Sequence, residues 1–423
     1  MNAEDVAKAD LLHAVDPMDP EILAEPFSFL AMLRQSAPVW RDPRTRIVHV
    51  STHALVVEVN KRPKLFSSAM AHLLKSGGTG AIDAEEAAIM AQGLPWIDTM
   101  ITADPPVHSR YKRIAMKAFT PLRVEAMADY IRETTHRLID GFAAKGSVEF
   151  KSCFADQLPS IIIADMLGVP RSDIPRFQQW LRSVVSRIAG GASREARIAA
   201  ARDEIALQRY LLAAIEERRA VPRDDVISDL VHATLADEGD PRPLENVELL
   251  GILHQIFTAG QETTAQALSY GVYQLLRHPD QLQAARADAS LYMGHVEETL
   301  RHLTPVSAMW RIVRQDTELG GVRLYQGDII LLRYTSANRD EMRFPDPDAF
   351  DLARANARDH LAFGAGIHSC LGMALARKEM QLAFPILFER LDGLRLSAGD
   401  SFSFLPSLLL RGVACLNLEF DPK

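Results

Sequence analysis

The pattern of hydrophobic and polar positions lays out a series of helices punctuated by short alternating runs. Phe27–Arg34 reads as a short amphipathic helix. Pro38-Val39-Trp40-Arg41 and Ile47-Val48-His49-Val50 alternate about a polar turn at Asp42-Pro43, which predicts a hairpin. From Glu125 to about Glu217 a period near 3.6 holds, broken at Gly146–Phe150, at Val169-Pro170 and at Gly190-Gly191, which reads as a joint. Asp225 is placed to cap a short helix toward Leu235. The longest pattern runs from Asn246 to His278, where Pro279 stops it, with Leu249, Leu253, Phe257, Gly260, Thr264 and Leu268 on one stripe. Thr317–Leu332 alternates about two glycine turns and predicts a small antiparallel sheet. Phe344–Asp351 is a proline-fixed meander, and Leu405–Phe420 reads as a last hairpin.

Composition narrows the class. With 48% hydrophobic and 24% charged residues, a chain of 423 residues is an ordinary globular protein, and length alone suggests two or three domains. Net charge is −8, from 47 basic and 55 acidic side chains, which argues against a general nucleic-acid footprint. The cysteines (Cys153, Cys370 and Cys415) are odd in number and far apart, so no disulfide framework is expected. The start, Met1–Lys8, is neither a secretory signal nor an anchor, and no window approaches the roughly 18 apolar residues that span a bilayer. A cytoplasmic location is the expectation, with residues 1–25 irregular. Ser67–Thr102 has loose, mixed character and reads as either disordered or a functional lid.

Chemistry concentrates at Phe363-Gly364-Ala365-Gly366-Ile367-His368-Ser369-Cys370-Leu371-Gly372, which opens into the helix-forming run Met373–Glu379. A cysteine at the start of a helix faces the positive end of the dipole, which favours thiolate. The glycines let backbone approach something flat and bulky and leave N–H groups for the sulfur. One thiolate suits a haem iron better than zinc, which takes about four protein ligands. Taken alone, a lone cysteine is more often an inert core side chain. Gly364-Ala365-Gly366 also hints at a dinucleotide loop, but Ser369 stands where the third glycine belongs and no strand run leads in.

Three other stretches are informative only together. Asp104-Pro105-Pro106-Val107-His108 can cap and open a helix, which then carries Arg110, Lys112, Arg113 and Lys117 with no acid before Glu125. That is a local basic patch or simply a solvated face. Ala259-Gly260-Gln261-Glu262-Thr263 puts a glycine, which costs about 1 kcal/mol against alanine, and a carboxylate inside the long helix. Ala259 and Thr263, four apart, share a face, although a solvent-facing stretch reads equally well. Glu298 and Arg301, three apart, can pair as on many helices.

In order and spacing, these four stretches resemble the cytochrome P450 family, in its soluble bacterial class, over essentially the whole chain. Every fixed position of the family's Phe-Gly-x-Gly-x-His-x-Cys-x-Gly loop is filled. The resemblance implies a mainly α fold with small antiparallel β-sheets, formed by residues 1–423 as one domain. It implies haem b (iron protoporphyrin IX), with Cys370 as axial ligand and Phe363 shielding the sulfur. Gly364, Ala259 and Gly260 would lie against the haem. His108, Lys112, Arg311 and His368 would hold the haem carboxylates, with Lys112 in place of a frequent arginine. Thr263 and Glu262 would be the alcohol and acid of oxygen activation. Glu298 and Arg301 would be structural, in a triad whose third arginine is replaced by Ala349 at its usual place; Arg354 is the candidate substitute.

The expected activity is a monooxygenase that uses O2 to hydroxylate or dealkylate a small, mostly apolar molecule. Trp96, Ile256, Ala259, Val306, Ser307, Met309, Phe404 and Leu408 would line the substrate pocket by analogy. Electrons would come from a ferredoxin-type donor with its NAD(P)H reductase, docking on Arg110, Lys112, Arg113 and Lys117 with Arg377 and Lys378. No nucleic-acid or membrane partner is expected, and the chain is expected to be a monomer. A peroxide-using haem-thiolate enzyme, a non-catalytic haem sensor and a helical structural protein are the competing readings.

Overall fold

The structure is a computed structural model that describes residues 12, 14–70, 83–189, 193–234, 242–399 and 402–422. In chain order its main elements are α1 (Phe27–Ser36), β1 (Val39–Arg41), β2 (Val48–Val50), α2 (His53–Lys61) and β3 (Phe66–Ser67). Then come α3 (Ala84–Met90), α4 (Val107–Met116), α5 (Ala128–Asp140), β4 (Ser147–Glu149), α6 (Gln157–Met166), α7 (Ile174–Ala189), α8 (Arg194–Ala220) and α9 (Val226–Val231). The second half holds α10 (Asn246–Arg277), α11 (Leu291–Leu303), β5 (Ala308–Val313), β6 (Thr317–Leu319), β7 (Val322–Leu324) and β8 (Ile329–Arg333). It closes with α12 (Met373–Arg390), β9 (Arg395–Leu396), β10 (Phe404–Leu405), β11 (Gly412–Val413) and β12 (Asn417–Glu419). Helices dominate and the sheets are small, as expected.

The chain forms two compact units. The first comprises residues 1–68, 128–157 and 263–423; the second comprises 69–127 and 158–262. All strands among the described residues belong to the first unit. Its five-stranded sheet has the order β1-β2-β8-β5-β3, with β2 and β8 parallel and the other pairs antiparallel. Val39, Val48, Val50, Ile330 and Leu332 pack from this sheet onto Val56 and Val59 of α2. On the other side of the unit, α11 meets α12 through Tyr292 stacked on Phe388 and His295 against Phe384, 4.2 Å between centroids. Among its described residues the second unit has helices and no strand. Phe177 of α7 is its aromatic centre, 4.9 Å from Tyr210 of α8 and 4.9 Å from Phe257 of α10.

Several sequence expectations need correction. Pro20–Ala24 is a short helix, with the Asp19 side chain accepting from the Glu21 N–H at 2.8 Å, so the stretch before residue 26 is not wholly irregular. The segment expected to be loose contains α3, where Asp83 accepts from the Glu85 and Glu86 N–H groups; residues 71–82 and the Gly190-Gly191 joint lie outside the described residues. Pro106, not Asp104, occupies the cap position of α4, and the Asp104 carbonyl instead accepts the His108 N–H at 3.0 Å. β8 does not stay with the β6–β7 hairpin but pairs with β5 and β2. The tail splits likewise: β10 and β11 form a hairpin, whereas β12 joins β4 and β9. Alternation marks a strand but does not choose its partner. No helix among the described residues is long and apolar enough to cross a membrane.

Candidate active site

The Cys370 turn is built by two glycines and one backbone bond. Gly364 and Gly366 take the left-handed conformation, φ +67° and +69°, which a side chain disfavours. Gly366 is also closed in: an added Cβ would stand 2.4 Å from the Asn60 carbonyl oxygen of α2. The Cys370 N–H then donates to the Phe363 carbonyl at 2.8 Å. Gly372 is the cap residue of α12, so Cys370 precedes the helix by three residues at its positive end. Cys370 itself is exposed, and Phe363, Ile367, Leu371 and Met373 around it are half-buried.

This surface fits a haem. Among the described residues no group of three or more His, Cys, Asp or Glu side chains could hold a bare metal ion. A single thiolate on an apolar, open turn suits an iron whose other ligands come from a porphyrin. Arg311 on β5 adds a second matching feature. It is 3% exposed, and among the described residues its guanidinium donates only to neutral acceptors, the Trp310 carbonyl at 2.7 Å and Asn60 Oδ1 at 3.0 Å. A buried guanidinium without a carboxylate is costly, and a haem carboxylate would supply one. His368 lies half-buried in the turn Gly366–His368 of the same unit.

On α11, Glu298 is fully buried and satisfied from three directions. Arg301 forks onto it, Nε to Oε2 and Nη2 to Oε1, both at 2.7 Å. Arg354 donates Nε to Oε1 at 3.0 Å, and the Asp351 N–H donates to the same oxygen at 3.0 Å. The remaining guanidinium donors of Arg301 reach the carbonyls of Asn338, Pro347 and Ala349. Arg354 therefore completes the triad that the residue at Ala349 cannot, and it also holds the Pro345, Asp346 and Ala349 carbonyls.

In the second unit, His108 and Lys112 lie one turn apart on α4, His108 buried and Lys112 half-exposed. Burial, helped by the Lys112 ammonium and opposed by Asp104, holds His108 below the usual histidine value. Arg110, placed in the basic patch by sequence, is instead buried: Nη1 meets Glu248 Oε1 at 3.3 Å, and Tyr111 donates to the same atom at 2.8 Å. Arg113 and Lys117 are exposed. Glu248, in the first turn of α10, also takes a fork from Arg242 at 2.6 and 2.9 Å and the Glu245 N–H at 2.7 Å.

Helix α10 continues unbroken past its internal glycine. Most of its middle is buried, yet Ala259 is exposed and Gly260, Glu262 and Thr263 are half-exposed, an opening on an otherwise covered helix. Among the described residues nothing crowds the glycine: a Cβ on Gly260 would find Ile163 no nearer than 3.4 Å. Ile256 is buried, and half-exposed Trp96 stands edge-on to His254 at 4.2 Å. In the first unit, Val306 bridges Leu410 and the Ser307 N–H donates to the Leu409 carbonyl at 2.8 Å, bringing Val306, Ser307 and Leu408 into one neighbourhood. Met309 is half-buried on β5, while Phe404 lies over Arg411, 3.6 Å from Cζ, and against Tyr270.

Sequence reasoning missed Asn60, Glu297 and His360, and it gave Arg377 no partner within the protein. Arg377 does not stand free for a partner but forks onto Glu297, Nε to Oε1 at 2.7 Å and Nη2 to Oε2 at 2.8 Å. Glu297 adjoins the Glu298 motif, which was the one local signal; Asn60 offered none.

Known proteins are similar to this chain in sequence and in fold. The family model described as Cytochrome P450 matches residues 165–394. 6-Deoxyerythronolide B hydroxylase of Saccharopolyspora erythraea is 36% identical over 323 residues, 76% of this chain and 78% of the relative. Steroid C26-monooxygenase of Mycobacterium tuberculosis is 34% identical over 391 residues, 92% of this chain and 99% of the relative. Among solved structures, cytochrome P450 CREJ in complex with (4-ethylphenyl) dihydrogen phosphate superposes with a TM-score of 0.89 at 29% identity, covering 97% of this chain and 100% of that one. The exposed thiol at the head of α12, the buried Glu298–Arg301 pair and these relatives lead to one conclusion: the chain belongs to the cytochrome P450 family and is a haem-iron monooxygenase.

Proposed function

We propose that residues 1–423 act as one domain binding haem b, and that the enzyme hydroxylates or dealkylates a small, mostly apolar molecule with O2 and electrons from a ferredoxin-type donor. When bound, a thiolate-ligated haem supplies the activation of O2 and the transfer of one oxygen atom to substrate. Cys370 is the thiolate, kept anionic by the start of α12. Arg311 and His368 are assigned to the haem carboxylates, and the resemblance to the family gives His108 and Lys112 the same role. Phe363 and Gly364 cover the sulfur side, and Ala259 and Gly260 leave room on the oxygen side. The single observation that carries this reading is the Cys370 turn, shaped by Gly364 and Gly366 and left open around the sulfur.

Glu262 and Thr263 are assigned to proton handling. Both are half-exposed on α10, with Thr263 one turn beyond the exposed Ala259, so a hydroxyl stands beside the space a small residue leaves. An acid next to an alcohol can pass a proton inward and reload from water. Trp96, Ile256, Val306, Ser307, Met309, Phe404 and Leu408 are assigned to the substrate wall. That relatives are named as a hydroxylase of 6-deoxyerythronolide B and a monooxygenase of steroids supports an apolar substrate. Replacing Thr263 by Ala is expected to leave reductant consumption high while product per reductant falls severalfold. Unchanged coupling, measured as product against NAD(P)H consumed, contradicts the assignment.

A further inference from the structure

The backbone bond that closes the Cys370 turn has Phe363 as its acceptor, so whatever fixes Phe363 also fixes Cys370. The Phe363 ring is held from two sides. The Arg377 guanidinium of α12 lies over it, Cζ 4.6 Å from the centroid, and the His360 imidazole stands beside it at 5.6 Å between centroids. Both converge on one carboxylate, Glu297 of α11. Arg377 makes its fork there. His360 accepts the Ala362 N–H at Nδ1, 3.2 Å, and its Nε2 lies 3.2 Å from Glu297 Oε2.

Glu297 is 3% exposed and His360 6%. Burial raises the Glu297 carboxyl, but His360 and Arg377 together outweigh it and bring it down to about 2. The neighbouring Glu298 is engaged separately by Arg301 and Arg354. The arrangement thus holds a permanent carboxylate whose two partners both face the aromatic ring next to the turn.

We propose that Glu297, Arg377 and His360 form a clamp that positions Phe363 and, through its carbonyl, the backbone of Cys370, so that the clamp tunes the environment of the axial thiolate. This rests on reading Cys370 as the haem ligand. The three are positioning residues: none touches the reacting atoms, and each acts through Phe363. The planar guanidinium does two things a lysine cannot do together, forking onto a carboxylate and lying flat on a ring. Arg377 accordingly belongs to the turn and not to an electron-donor surface.

The test uses purified holoenzyme carrying Glu297→Gln, Arg377→Ala, Arg377→Lys, the double change Glu297→Gln/Arg377→Ala, and Arg390→Ala as control. Arg390 is on the same helix but pairs with Asp140 on the exposed surface. The readouts are the reduced, carbon-monoxide-bound absorption spectrum and the haem reduction potential. Arg377→Ala and Glu297→Gln are expected to raise the fraction lacking the red-shifted thiolate band severalfold and to displace the potential. Arg377→Lys, which keeps the charge and should fold, is expected to show a smaller change of the same kind. The double variant is expected to resemble the worse single, because the groups work as a unit, and Arg390→Ala to match the parent spectrum. Parent-like spectra and potentials in Arg377→Lys and Glu297→Gln, with only a lowered unfolding midpoint, overturn the proposal and leave an ordinary tie between α11 and α12. A parent enzyme without the thiolate band refutes the reading of Cys370 instead, so the two failures are distinguishable.

Discussion

Gly366 shows how tightly single residues are constrained around the sulfur. It combines a left-handed φ of +69° with the Asn60 carbonyl 2.4 Å from where a Cβ would sit. Alanine there should cost roughly 1–3 kcal/mol and lower haem retention. Gly372 has φ −84° and nothing within 4 Å of an added Cβ, so Gly372→Ala should stay within about 0.5 kcal/mol of the parent. Denaturant titration and haem content of both variants check this; equal effects would contradict it. At this scale the sequence was most legible where chemistry is local. The cysteine, its glycines and the Glu298–Arg301 spacing could be read because their meaning lies within ten residues. What stayed hidden depends on distant partners. Arg110 read as a surface cation because its acid, Glu248, arrives 138 residues later. Arg354 could not be assigned because only the folded meander brings its Nε to Glu298. Asn60 gave no sign that it supports both the Arg311 guanidinium and the floor under Gly366.

Among the elements, α10 was the easiest to foresee and the hardest to interpret. Its apolar period predicted the span to within a residue at its end, but an internal glycine and carboxylate have no period of their own. The structure accounts for its N-terminal turn through Glu248. Burial raises that carboxyl, yet Arg242, the Glu245 N–H and Tyr111 together lower it from 4.5 to about 2. A folded value below the unfolded one gives stability that is complete above about 4.5 and is lost as the pH falls toward about 2. The shift corresponds to roughly 3 kcal/mol at neutral pH. Glu248→Gln should therefore be less stable than the parent at about pH 7, and the gap should narrow as acid protonates the parent. A gap that stays constant across that range, measured by denaturant unfolding at each pH, would show that the ionised form has no such role. Strands were less legible than helices: β8 and β12 were visible as alternating runs, but their partners are set by tertiary packing.

Across the whole molecule, the basic surface of α4 is smaller than its sequence suggests, because Arg110 is committed to Glu248; on α12, Arg377 is likewise committed to Glu297. Arg113 and Lys117 remain exposed and are the residues to test for docking of an acidic electron donor. Reversing both to Glu should slow reduction by a ferredoxin severalfold and flatten its dependence on salt, since exposed charges act through a screened field. An unchanged rate and salt slope would rule these two residues out. Fold class and family were legible because four motifs recur at fixed separations over a helical frame; the substrate was not, because apolar walls carry no pattern. The central claim, that Cys370 binds haem iron as a thiolate, is tested most directly by the absorption spectrum of the reduced, carbon-monoxide-bound protein. The account predicts the red-shifted Soret band of a thiolate-ligated haem, abolished by Cys370→Ala. A protein that loads haem yet shows no such band, or keeps it in Cys370→Ala, would contradict the account.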